Sequence, residues 1–331
     1  MTMTIEQGSS AAPPADATRL LAAGRAAGAA EHLAAYGSRP ARSADALLAQ
    51  LHRSGLTGRG GAAFPAFRKL QAAAVASRRP VVIGNGSEGE PLSWKDAVLL
   101  ANAPHLVLDG LLVAAGALRA RRAVLYVHEA ALEPLERAIA ERADARGVEL
   151  VEAVDGFVAG EASAVVDALR GGRGLPQDRT RRLTESGLDG RPTLLHNVET
   201  LAQLALIARY GGDWFRSVGD PAAPGTRLVT VTGAVGTEGV LEVPTDATVA
   251  DIVARAGGAV ERAQAVLLGG YHGTWIPASE ARTAPGPLAG AGVVHVLGAD
   301  RCGLLATAEI ADELAAASAR QCGPCRFGLP A

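Results

Sequence analysis

Apolar positions recur at helical spacing early in the chain. Leu47, Leu48 and Leu51 share one face between Ser43 and Gly55, which predicts a helix capped by Ser43 and stopped by the glycine. Asp16 reads as the cap of an earlier helix that runs to Tyr36 and ends at Gly37. A glycine-rich loop, Gly58-Arg59-Gly60-Gly61, then leads into a helix carrying Phe67, Leu70 and Ala74. From there short apolar runs alternate with helical ones. Residues 81–83 predict a strand entering Gly84-Asn85-Gly86, followed by helices over 95–101 and 104–118. Residues 123–127 and 148–154 predict strands flanking a helix over 132–145, which tolerates Pro134 in its first turn. A helix is expected over 160–169, loop over 171–197, and a helix over 198–210 ending at Gly211-Gly212.

This alternation predicts an α/β fold with an open parallel sheet covered by helices. Such sheets take ligands beyond the carboxyl ends of their strands, where Asn85 and Gly160 fall. The pattern changes around residues 221–225. Strands are predicted over 228–235, 240–244, 266–268, 274–276 and 293–297, with one helix over 249–256, which describes a small β-grasp domain. A last helix over 304–317 leads to Cys322-Gly323-Pro324-Cys325. The expected organisation is a tail and helix over 1–42, an α/β domain over 43–212, a β-grasp domain over 222–298 and the start of a helical domain over 299–331.

Composition narrows the function classes. A length of 331 residues exceeds a single small core. A formal net charge of -2 offers no general positive field to nucleic acid, and the run Arg179, Arg181, Arg182 reads as a solvated face. Apolar stretches such as 106–118 are interrupted by Asp109 and Gly110 and are too short to span a bilayer. The N-terminus lacks a signal pattern, so a cytoplasmic protein without membrane insertion is expected, free or peripheral to a membrane complex. Cys302, Cys322 and Cys325 are odd in number and late in the chain, unlike a secreted disulfide framework. The basic residues are almost all arginine; Lys69 and Lys95 alone are lysine. A lysine kept against that bias points to a need for a compact ammonium.

Both lysines lie beside candidate chemistry. In Gly58-Arg59-Gly60-Gly61-Ala62-Ala63-Phe64-Pro65, glycines let backbone N–H groups converge on an anion, with a helix N-terminus behind them. Arg59 and Lys69 can add charge toward a phosphate; a plain helix connection is the competing reading. In Asn85-Gly86-Ser87-Glu88-Gly89-Glu90-Pro91, Asn85 can both donate and accept, and the two carboxylates need polar partners. Gly160-Glu161-Ala162-Ser163 follows, then Pro192-Thr193-Leu194-Leu195-His196-Asn197-Val198-Glu199-Thr200. There Asn197 caps a helix, Thr200 sits in its first turn, and His196 is expected as a loop histidine with its hydrogen bonds satisfied.

In order, spacing and flanking residues, these stretches resemble the NADH- and FMN-binding subunit of respiratory complex I and its relatives in NAD-reducing hydrogenases and formate dehydrogenases. The resemblance implies that Gly58, Gly60, Lys69, Asn85, Glu88, Gly160, Glu161, Asn197 and Thr200 line an FMN site, together with Arg59 and Gly61 of the same loop. It implies that Phe64 and Glu90 face the nicotinamide nucleotide, by stacking and by hydrogen bonds. Hydride transfer from NADH to flavin would follow, then release of electrons to an iron–sulfur protein or a membrane redox complex. No catalytic acid or base is implied, since hydride transfer to flavin needs alignment.

Departures from the family pattern carry their own expectations. Ala63 stands where the family has glycine, Ser87 where it has aspartate, and His196 where it has the first of two asparagines. Ala162 replaces the second of two adjacent glutamates, which implies a relaxed preference for NADH over NADPH. Ala319 occupies the first cysteine position of the iron–sulfur motif, leaving Cys322 and Cys325 as possible metal ligands. A 4Fe–4S cluster needs four ligands, so one is not expected to be complete here; a zinc half-site, a dithiol pair and unused cysteines stay open. The alternative to a flavoenzyme is a redox-complex scaffold with a degenerate flavin site. An ordinary dinucleotide-binding dehydrogenase is disfavoured, because no G-x-G-x-x-G follows the first strand.

Overall fold

The computed structural model describes residues 18–178, 180–281, 283–286 and 290–328; the expected cap at Asp16, the polar tail and Arg179 lie outside them. Helices α1 (Ala29–Tyr36), α2 (Ala44–Ser54) and α3 (Ala66–Ala74) precede a parallel sheet of β1 (Val81–Gly86), β2 (Arg122–Val127), β3 (Val148–Glu152) and β4 (Thr193–Asn197). Strand order is β3-β2-β1-β4. The chain builds outward from β1 on one side and returns to its other side with β4. The carboxyl ends of β1 and β4 therefore form the switch point where doubly wound sheets hold their ligands. Asn85 and Asn197 are paired in register there.

The β-branched residues Val81, Val82 and Ile83 are fully buried, as expected for a strand covered on both faces. Cover comes from α4 (Lys95–Asn102), α5 (Pro104–Ala117), α6 (Leu132–Ala140), α7 (Ala162–Leu169) and α8 (Val198–Tyr210). Between α5 and α8 the approach is backbone-close: a Cβ added at Gly110 would lie 1.9 Å from the Leu201 carbonyl oxygen. That contact fixes α8, whose first turn follows β4 without a break.

After the short helix α9 (Gly212–Phe215) and the two-residue strands β5 (Gly219–Asp220) and β6 (Ala223–Pro224), a second sheet begins. It comprises β7 (Thr226–Gly233), β8 (Gly239–Pro244), β9 (Ala263–Leu268), β10 (Thr274–Pro277) and β11 (Val293–Gly298), in the order β10-β9-β11-β7-β8. Helix α10 (Val249–Arg255), started by a reciprocal Thr248–Asp251 capping box, packs Val249 and Ile252 onto Val229, Val231 and Val294. This is the β-grasp arrangement. Helix α11 (Ala278–Ala281) sits beside β9 and β10, and α12 (Gly303–Ala316) carries the chain to the late cysteines.

Three expectations need correction. Residues 193–197 form β4 rather than loop, because pairing with β1 supplies the backbone partners that a short run lacks locally. The first helix begins only at Ala29; before it, the N–H groups of Arg19, Leu20 and Leu21 donate to the Glu242 carboxylate instead of to a helical turn. The helix expected over 132–145 ends at Ala140 and resumes as a single 3-10 turn, Ala143–Ala145.

Candidate functional site

A cavity of about 470 Å³ opens at the switch point. Its wall brings together Gly58, Arg59, Gly60, Gly61, Phe64 and Lys69 from the first glycine stretch, Asn85, Glu88 and Glu90 from the second, and Gly160, Glu161, Asn197 and Thr200. Every site residue expected from the sequence thus reaches one hollow, apart from the two cysteines.

The glycine loop is closed locally and pinned to α8. Gly58 N–H donates to the Phe64 carbonyl at 2.9 Å, and Arg59 N–H donates to Thr200 Oγ1 at 2.8 Å. Gly61 is bridged to the Gly290 backbone, while the amides of Gly60, Ala62 and Ala63 have no protein acceptor among the described residues. Backbone N–H groups left open in this way form a cradle for an anion. Ala63 adopts φ 48°, a left-handed conformation that costs an L-residue roughly 1–2 kcal/mol, so the preference for glycine at this position has a backbone cause.

The second stretch packs through backbone. A Cβ on Gly160 would lie 2.8 Å from the Ser87 carbonyl oxygen, and one on Gly89 would lie 2.2 Å from that of Phe157. Asn85 ties these loops together: its Nδ2 donates to the Gly160 carbonyl at 2.9 Å, while its Oδ1 accepts from Ser87 N–H and Oγ–H. The amide expected to meet a ligand is therefore engaged in holding the cavity wall. Glu161 caps α7 by accepting from the N–H groups of Ser163 and Ala164. Asn197 caps α8, accepting from Glu199 N–H at 2.9 Å, and donates from Nδ2 to Asp96 at 2.5 Å.

Charge in the hollow is uneven. Lys95 is fully buried but answered by two carboxylates, Asp96 at 2.6 Å and Glu199 at 3.3 Å, which hold its ammonium above the ordinary lysine range. Burial, reinforced by the nearby Asp96 charge, pushes Glu88 up to about 7. Lys69 has no such answer among the described residues: its Nζ donates to the Leu195 carbonyl at 3.3 Å, and desolvation lowers its pKa. His196, expected in a loop, lies in β4 with Nε2 buried and unpartnered. Desolvation, then the Lys69 charge, drives its pKa down to about 3, so it is neutral. Open amides, an unanswered ammonium and an orphaned imidazole nitrogen fit a phosphate-bearing ligand.

Arg59 departs from expectation. It lines the hollow, yet its guanidinium turns to the carbonyls of Pro224 and Thr226 at 3.3 and 3.2 Å, at the edge of the second sheet. That sheet also supplies wall residues missed in the sequence: Gly269, His272, Gly290 and Ala291, with Phe157 from the α/β part. Tyr271 N–H donates to Glu90 at 3.0 Å, and Gly290 N–H to the Gly61 carbonyl at 3.3 Å. The pair Gly269-Gly270 after an apolar run was the available signal. Of the cysteines, Cys302 and Cys322 are exposed, and no three His, Cys, Asp or Glu side chains converge as a metal site among the described residues.

Residues 51–206 match the family described as the Nuo51 FMN-binding domain, and residues 228–271 match the SLBB domain. The chain is 31% identical to an F-type subunit of the NADH-quinone oxidoreductase of Rhizobium meliloti over 314 residues, covering 86% of this chain and 74% of that protein. It is 34% identical to the alpha subunit of the NAD-reducing hydrogenase HoxS of Cupriavidus necator, over 66% of this chain and 39% of the other. A crystal structure of an NAD+-reducing NiFe-hydrogenase in its H2-reduced state superposes with a TM-score of 0.80 at 32% identity, over 87% of this chain and 52% of that one. The chain thus spans about three quarters of one relative and about half or less of the others. Among the described residues no single helix is long and apolar enough to cross a membrane.

Proposed function

The chain belongs to the family of F-type, FMN-binding subunits of NADH-quinone oxidoreductase, and from that premise we propose that it is an FMN-binding electron-transfer subunit that oxidises a nicotinamide nucleotide. The observation that carries this reading is the convergence of three acceptor-free amides, at residues 60, 62 and 63, with the Lys69 ammonium at a sheet switch point. FMN bound there would accept a hydride from the nucleotide and release electrons one at a time.

In this reading the amides of the glycine loop and Lys69 hold the phosphate. Asn85 keeps the strand-end loops in place, and Asn197 and Thr200 fix the start of α8 against the same loop. Phe64, 43% exposed at the mouth, covers the nicotinamide side, and Glu90 meets the nucleotide from the opposite wall. No side chain is needed as acid or base, because alignment at contact distance supplies the rate. The functional unit spans the α/β domain over 43–212 and the β-grasp domain over 222–298, which closes the hollow. Electrons would leave to an iron–sulfur protein or a membrane redox complex, with the chain cytoplasmic or peripheral to that complex.

The test is spectroscopic. Protein mixed with FMN and desalted should stay yellow, and anaerobic NADH or NADPH should bleach the flavin band. A colourless protein that fails to retain FMN would leave the scaffold reading in its place.

A further inference from the structure

A second cavity, of about 750 Å³, adjoins the first. Phe64, Lys69, Ala162 and Leu195 line both, so a single extended molecule can run from one into the other. The second compartment is strongly cationic. Arg68, Arg181 and Arg182 line it and not the first, facing one acidic side chain, Asp178. None of these arginines pairs with a carboxylate among the described residues, whereas Arg39, Arg53, Arg122, Arg142 and Arg209 all do. Thr180 and Thr184 add hydroxyls to the same wall.

Position assigns the charges. The shared wall at Phe64 and Ala162 is where the diphosphate of a dinucleotide would pass between compartments, beside the flavin hollow. The three arginines lie beyond it, where the outer nucleoside would sit. A plain adenosine presents no anion there, so three unpaired guanidinium groups exceed what NADH can use. A phosphate on the outer ribose would use them, since guanidinium forks match phosphate oxygens. The common wall at Ala162 is uncharged and does not repel such a group. Loss of a carboxylate alone would relax discrimination; a set of free arginines selects. Resting on the functional reading above, we propose that Arg68, Arg181 and Arg182 form a phosphate subsite that makes the 2′-phosphorylated nucleotide, NADPH, the preferred substrate.

The test separates this from the flavin reading. Calorimetry on the full chain with adenosine 2′,5′-bisphosphate and with adenosine 5′-monophosphate reads the subsite without any flavin reaction. The bisphosphate should bind at least about tenfold more tightly, a ratio expected of charge-assisted phosphate contacts. The Arg181→Ala/Arg182→Ala variant, altered only on exposed loop positions, should bring the ratio toward one. The kcat/KM ratio of NADPH to NADH should fall in parallel. Equal binding of the two adenosine ligands, or a ratio unmoved by the double variant, overturns the subsite even if NADH bleaches the flavin. Failure of both nucleotides to bleach bound FMN would instead count against the functional reading, while the binding ratio still decides the subsite.

Discussion

Lys69 is a desolvated ammonium whose partner is the Leu195 carbonyl, and the His196 imidazole, which feels its charge, is neutral. Burial lowers its pKa, so the folded chain binds that proton less well than the unfolded chain does. The sign follows: below the lowered pKa the charge works against folding, and stability rises as pH climbs through it. An anion at the glycine cradle reverses this by pairing the charge. Lys69→Met, which keeps length and removes charge, should therefore raise the stability of the FMN-free chain by about 1 kcal/mol. The same change should weaken FMN binding roughly 10- to 100-fold, the range of a lost charged hydrogen bond. Denaturant unfolding and flavin fluorescence titration measure the two effects. Unchanged FMN affinity would remove Lys69 from the phosphate site. Much of this was legible in the sequence, because the cradle is built from chain neighbours and a lone lysine marked it. The direction of the Arg59 side chain was not, since Pro224 and Thr226 lie far along the chain and become its partners only once the sheets meet.

At the scale of elements, β4 was hidden because a five-residue run gains its strand identity from the register with β1, not from its own pattern. Helices α2 and α8 were readable because caps and apolar faces are local. The segment ahead of α1 reads as helix from a cap at Asp16 and a stop at Gly37, yet a distant carboxylate decides its path. Glu242 on β8 accepts from the N–H groups of Arg19, Leu20 and Leu21 and from Thr226 Oγ1 at 2.6 Å. Those donors favour the anion, but burial outweighs them and lifts Glu242 to about 7. A raised acid binds its proton more tightly in the folded chain, so its contribution is present at low pH and is lost as pH rises from about 4.5 to about 7. Glu242→Gln keeps an acceptor for the three amides without the charge. Relative to the variant, the parent chain should lose on the order of 3 kcal/mol across that window, measured as the difference between their stability–pH curves. Parallel curves would mean that the carboxylate titrates normally.

For the molecule as a whole, the question is what makes two sheets with separate apolar cores behave as one body. Their contact holds buried charge beside Leu228 of β7, which packs into the core of the first sheet. Arg59 from the glycine loop, Lys95 from α4 and Arg227 from β7 are all buried, and the Glu199 carboxylate on α8 lies among them. Glu199 also accepts from Leu228 N–H at 3.0 Å, a direct tie from α8 to the second sheet. Asp96 answers Lys95 separately, so Glu199 is the carboxylate on which the two arginines depend. Its loss would leave buried cations unbalanced, a situation that typically costs about 3–5 kcal/mol. Glu199→Ala should therefore destabilise the chain by about that amount and, by releasing Leu228, split a single calorimetric transition into two. Glu199→Gln, which keeps an acceptor for Leu228, should lose stability but retain one transition. Because the flavin hollow is walled by both sheets, FMN affinity should fall with the first variant more than with the second. If Glu199→Ala costs less than about 1 kcal/mol and still unfolds in one step, the sheets are joined by packing and the charge cluster is incidental.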